Sequence, residues 1–222
     1  GYLKREGRPS EKAILNSRVV DRPMRPLFPK DMRNDVAIVM TVLAVDPETQ
    51  PEIIAMIGAS IAVSISDIPW NGPIGGISVG LVDGEIVLMP DAEQRAKSDL
   101  QLTVASSEKN VVMIEAGANE IPEEKMIEAI YKCHDVNQTI IAFINHIVEE
   151  VGKPKHEYTS CAIPEEMFAA IKEIVPPAEM EEAVFSDDKQ TREENIRVIT
   201  EKLEEAFADN EELSLIHISE PT

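Results

Sequence analysis

Every strand signal in this chain precedes Gly152, and everything after it reads as helix or connection. A chain patterned in this way must build its sheet from its first two thirds and pack the remainder as helices alone. The change falls at 152–161, a polar stretch carrying Lys153-Pro154-Lys155 and Ser160. With 222 residues there is enough chain for one full core and a smaller second unit. The expected domains are therefore 1–152 and 153–212. Residues 213–222 break the helical pattern, read as a non-native tail, and are set aside.

Within the first part, Pro9-Ser10-Glu11 starts a helix carrying Ile14, Leu15 and Val19, which Pro23 and Pro26 are expected to end. Residues 35–45 form a nearly unbroken apolar, β-branched run, the pattern of a strand buried on both faces. Pro51 opens a second helix to about Ser66, with Ile53, Ile54, Ile57, Ile61 and Ile65 expected inside. Ile77, Val79 and Leu81 alternate with small residues, and Asp83-Gly84 supplies a hairpin turn before Ile86-Val87-Leu88. Leu100, Leu102 and Val104 pair in expectation with 111–114. Trp70 reads as a cap on the core. Gly75-Gly76 lacks the following helix and Lys-Ser/Thr pair of a phosphate loop. Pro122-Glu123-Glu124 opens a long helix, with Met126, Ile127, Ile130, Ile140, Ile141, Ile144, Ile147 and Val148 expected inside, and Gly152 stops it.

Charge divides the chain as sharply as periodicity does. Nine basic residues lie between Lys4 and Arg33 against four acids, a net +5 in a chain of net charge -20. From Glu149 onward, twenty acids face seven basic residues. The acidic bulk excludes non-specific nucleic-acid binding over the whole surface, so a polyanion would be held locally at the basic segment. Arg18 and Arg22 share a helix face, Arg25 follows them, and Asp21 between them reads as an internal ion pair.

Catalytic patterns are not found by residue type. No His-Glu-x-x-His or Cys-x-x-Cys occurs. His134 and His146 are twelve apart, which does not make a metal site. Cys133 and Cys161 do not form a disulfide framework, and no apolar run reaches the roughly 18 residues of a membrane span. A cytosolic, non-membrane protein is the expectation. The opening at Gly1-Tyr2 without an initiator Met reads as a fragment.

Four motifs are shared with a known family: Lys-Arg-Glu-Gly-Arg-Pro-Ser-Glu at 4–11, Asp-Arg-Pro-Met-Arg-Pro-Leu-Phe-Pro at 21–29, Ala-Met-Ile-Gly-Ala-Ser at 55–60 and Ile-Pro-Trp-Asn-Gly-Pro-Ile at 68–74. With them the chain resembles the polynucleotide phosphorylases, which degrade single-stranded RNA from its 3′ end with inorganic phosphate and also run in reverse. The resemblance implies an α/β (α+β) fold. Residues 1–152 would be most of the first of two RNase PH-like domains, with a mixed sheet, packed helices and missing N-terminal strands. Residues 153–212 would be an all-helical linker domain. It further implies a homotrimeric ring threading RNA, acting in cytoplasmic mRNA turnover beside other RNA-decay proteins, with no DNA and no membrane. The family's channel loop corresponds to Tyr2-Leu3-Lys4-Arg5, Leu3 standing where the family has a second aromatic. By that resemblance Tyr2 stacks on bases, Lys4, Arg5 and Arg8 contact phosphates, and Arg25 contacts RNA or braces the loop. Magnesium and the attacking phosphate would belong to the second domain. No catalytic or metal residue is expected here, and the segment alone should be inactive. Two other readings are a non-catalytic RNA-binding or ring-scaffolding subunit, and a basic stretch paired with the acidic helices.

Overall fold

The structure is a computed structural model and describes residues 7–46 and 48–207. It separates into two compact units, Gly1–Ser160 and Cys161–Thr222. The composition changes at Gly152, eight residues before the units part, and those eight residues form a strap on the first unit.

In the first unit Ser10 begins helix α1 (Glu11–Met24) by accepting the Ala13 N–H at 3.2 Å. That satisfies one of the donors every helix start leaves open. Pro23 does not end the helix. Its ring is buried, the helix continues to Met24, and the Arg25 N–H closes the last turn on the Asp21 carbonyl. A proline that close to the C-terminus costs one backbone bond and gains core packing. A 3-10 turn, Arg25–Leu27, follows.

The run 35–45 is not a strand. It pairs with no strand among the described residues, and Val39 and Leu43 are 87% and 92% exposed. β-Branched composition favours extended backbone, but a ladder also needs a partner edge. The run instead crosses the outer side of α2 (Pro51–Ile65), leaving an apolar cleft of about 570 Å³ against Ile54, Gly58 and Ala62. The inner face of α2 is Ile53, Met56, Ala59, Ser60 and Val63; of the isoleucine series only Ile53 is fully buried, and Ile54 is 56% exposed.

The sheet order is β2-β1-β3-β4, antiparallel throughout among the described residues rather than mixed. Asp83 and Gly84 both take positive φ (51° and 80°). That is the requirement of the two-residue turn joining β1 (Gly75–Val82) to β2 (Glu85–Leu88). A short helix that no apolar period announces, α3 (Ala92–Lys97), is set by a capping box between Asp91 and Gln94. β3 (Leu100–Ser106) and β4 (Val111–Ala118) complete the sheet.

β1 is buried along nearly its whole length because helices cover both faces of the sheet. Ile77, Val79 and Leu81 pack with Ala129 and Cys133 of α4 (Glu123–Val151), while the neighbouring Gly76 lies against Met56 of α2. On α4 the buried positions are Ala129, Cys133, Asn137, Ile141 and Ile144, and Ile127 is half exposed. Asn137 is fully buried and donates to the Val104 carbonyl and to Ser106 Oγ, both at 3.1 Å, joining helix to sheet. Burial pushes the Cys133 thiol up to about 12, which makes it an inert core residue.

The strap 153–160 returns to the first unit. Lys155 Nζ donates to the carbonyls of Val63, Ser64 and Ser66, at 3.0, 2.9 and 2.7 Å, and so caps the negative end of α2. Further along, Tyr158 Oη and Ser160 Oγ donate to the two oxygens of Asp31, at 2.9 and 2.6 Å. Those bonds, Ser160 first and Tyr158 next, hold the Asp31 carboxyl below its ordinary value. The bond to Asp31 raises the Tyr158 phenol. The lowered Asp31 contributes fully above its ordinary value, about pH 4, and loses its contribution as pH falls through the lowered one. The raised Tyr158 contributes fully below about pH 10 and loses its contribution as pH rises through the raised one. Hydrogen exchange should therefore show strap amides protected in mid-range and released at both extremes before the sheet opens. Protection that is flat with pH, or unchanged in Asp31→Ala, would contradict this clasp.

The second unit holds α5 (Glu165–Ile174), α6 (Pro177–Val184) and α7 (Lys189–Ala206). Val175, Ala183, Ile199 and Leu203 form its core, and Asp188 caps α7 through the Thr191 N–H at 2.8 Å. Its cations pair locally, Arg197 with Glu194 and Glu201, and Lys202 with Glu179.

Candidate nucleic-acid interface

α1 turns Val20, Pro23 and Met24 into the core. The residues at 18, 22 and 25 follow a near-helical spacing, so the same geometry places Arg18, Arg22 and Arg25 together outside. The three guanidinium groups border one recess of about 290 Å³ with Asp21 and Pro26. Arg25 bonds Asp21 through Nε at 3.2 Å and through a second, shorter contact. The hydrogen bond and then the charge of Asp21 raise the Arg25 guanidinium above its ordinary value. Arg22 reaches Glu115 at 3.4 Å, both side chains about half exposed, a weak pair in water. Arg18 has no ion pair among the described residues. Two acids, Asp21 in the recess and Glu115 beyond Arg22, against three cations leave a net positive recess.

A larger cleft of about 630 Å³ adjoins it, shared by Arg18, Asp21 and Arg25. Its apolar floor includes Met24, Phe28, Met32, Val36, Ile38 and Met40. Guanidinium groups beside an apolar floor suit a ligand with phosphates and flat rings: forked donors take the phosphate, and the apolar surface takes the ring.

Of the residues expected to meet RNA, Arg8 is exposed just ahead of α1, and Arg25 sits in the recess, braced by Asp21. Tyr2, Lys4 and Arg5 lie outside the described residues. The structure adds Arg18 and Arg22, which the sequence placed on one face without a ligand role. The signal that could have found them is the Arg18–Arg22–Arg25 spacing continued across the proline.

Among the described residues no three His, Cys, Asp or Glu side chains are grouped to hold a metal ion. No helix among them is long and apolar enough to cross a membrane.

Comparison with known proteins agrees with this architecture. Residues 1–69 match domain 1 of the 3′ exoribonuclease family, and residues 72–134 match domain 2, together more than half of the chain. The polyribonucleotide nucleotidyltransferase of Lachnoclostridium phytofermentans is 63% identical over 210 residues, covering 95% of this chain and 30% of that one. That of Ruminiclostridium cellulolyticum is 53% identical over 209 residues, covering 94% and 30%. The chain thus spans about 30% of the length of these relatives. The crystal structure of rice (Oryza sativa) Rrp46 superposes with a TM-score of 0.51 at 12% identity, over 65% of this chain and 69% of that one, a likeness of fold alone. The chain belongs to the 3′ exoribonuclease family, with an RNase PH-like fold, and within that family it is similar to a segment of the polyribonucleotide nucleotidyltransferases.

Proposed function

We propose that this chain is the RNA-guiding segment of a polyribonucleotide nucleotidyltransferase, an enzyme that shortens single-stranded RNA phosphorolytically from its 3′ end. The observation that carries this reading is the gathering of Arg18, Arg22 and Arg25 at one recess of a chain with net charge -20. The names of the relatives support it. In the proposal Lys4, Arg5 and Arg8 contact phosphates, Tyr2 stacks on a base, and Arg25 contacts RNA or braces the loop. Magnesium, inorganic phosphate and bond cleavage belong to the remainder of the longer protein. The working assembly is a cytoplasmic homotrimer engaged in mRNA turnover with other RNA-decay proteins.

Fluorescence anisotropy with a labelled oligoadenylate over a salt series tests the guide. Lys4→Ala with Arg5→Ala should lower the salt slope by about 1.4, since each single-strand phosphate contact contributes about 0.7. Tyr2→Ala should weaken binding by about 1–3 kcal/mol with little change of slope. If the double variant leaves both affinity and slope untouched, the guiding role is wrong. The isolated chain should release no nucleoside diphosphate from RNA with magnesium and phosphate present, and measurable release would overturn the division of labour.

A further inference from the structure

Beyond the Arg22–Glu115 pair lies a polar cleft of about 220 Å³ that the RNA reading does not use. It is bordered by Asn16 of α1, Gln50 and Glu52 at the start of α2, Gln101 and Thr103 of β3, and Glu115 of β4. Gln50 is 91% buried, with 9% of its surface exposed, and holds the N-cap position of α2 without making a capping bond. Its Oε1 is buried and accepts no hydrogen bond, and neither does the buried Oε2 of Glu52. Buried acceptors without donors are costly and uncommon. Two of them at one cleft suit a ligand that brings N–H or O–H groups.

Charge narrows the choice. Glu52 and Glu115 carry two negative charges, and Arg22, which reaches Glu115 from the rim at 3.4 Å, returns one positive. A cation carrying donors balances the remainder. Among the described residues no three His, Cys, Asp or Glu side chains are grouped to hold a metal ion. A primary ammonium offers three N–H donors on one charge and a slender alkyl stem, which fits acceptors at the start of α2 and on β4.

We propose that this cleft binds a primary alkylammonium group, with Gln50 Oε1 and Glu52 Oε2 as acceptors and Glu115 closing the rim. The group could come from a small free diamine or from a lysine side chain of a partner protein, and the two sources are separable. Side-chain amide resonances of the intact chain, Gln50 and Gln101 above all, would be followed by NMR without RNA. Putrescine, Nα-acetyl-lysine amide, magnesium chloride and tetramethylammonium would be titrated at constant ionic strength. Saturable shifts with putrescine as the tighter probe support a free amine. Tighter binding of the lysine amide supports a protein partner. Tetramethylammonium, charged but without N–H donors, should produce no such shifts. Glu52→Gln should weaken the binding about tenfold, the loss of one charged hydrogen bond. Glu115→Gln, at an exposed position, provides a second test that does not threaten folding. Equal shifts with tetramethylammonium or magnesium, no saturation with either amine, or full affinity in both variants would overturn the proposal.

Discussion

Trp70→Ala should cost the first unit about 3–5 kcal/mol, enough to leave much of it unfolded at room temperature. Trp70 is 8% exposed, and its Nε1 donates to the Met24 carbonyl at 3.1 Å. The ring lies with Phe28 at 6.1 Å between centroids, and the chain folds back over it so tightly that a Cβ on Gly72 would meet the indole at 2.2 Å. One side chain thus fastens the end of α1 to the loop entering β1. Truncation would open a cavity in the cluster of Val20, Met24, Met56, Ala59 and Ile74 and leave a buried carbonyl without its donor. Trp70→Phe should retain most of the packing and lose about 1–2 kcal/mol through the missing bond. Denaturant unfolding followed by circular dichroism measures both, and a loss below about 1 kcal/mol for Trp70→Ala would show that the loop is not held by this residue.

Gly75→Val should be nearly as damaging, by about 2–3 kcal/mol or more. A Cβ at Gly75 would lie 2.8 Å from the Asn137 carbonyl oxygen and 3.2 Å from its Cα, both backbone atoms of α4. Relief would require shifting the helix, which the two bonds from Asn137 to Val104 and Ser106 oppose. Gly58→Ala provides the contrast. A Cβ there meets nothing within 4 Å, and the position is inside α2, so stability should rise by about 0.5–1 kcal/mol. The same glycine-to-larger change should thus act with opposite sign at two sites. Equal tolerance of Gly75→Val and Gly58→Ala in thermal melts would refute the close approach of β1 and α4.

Several structural surprises share one physical origin. The isoleucines at 54 and 127 match a helical stripe as well as any of their neighbours, yet both face outward. Helix periodicity defines a face to within about one residue in either direction, and the partner surface decides which edge of that face is covered. Asn137 was invisible for the opposite reason. A polar residue in an apolar stripe looks like an interruption until a strand carbonyl and a serine hydroxyl appear opposite it. The run 35–45 shows the same limit for strands, since its composition specifies extended backbone and only a neighbouring edge makes that backbone a ladder.

What the sequence alone determined is where elements begin and turn. Ser10, Pro51, the Asp83-Gly84 pair, Pro122 and Gly152 each act through torsion angles and hydrogen bonds within a few residues, so local chemistry is sufficient. The change to helix-only patterning after Gly152 and the basic opening segment belong with them. Only the tertiary structure decided which faces are buried. It also set Arg18, Arg22 and Arg25 around one recess, closed Tyr158 on Asp31 across 127 positions, and left Gln50 Oε1 and Glu52 Oε2 without donors at the cleft that Glu115 borders. Those outcomes depend on partners distant along the chain, whose approach is fixed by packing the whole core.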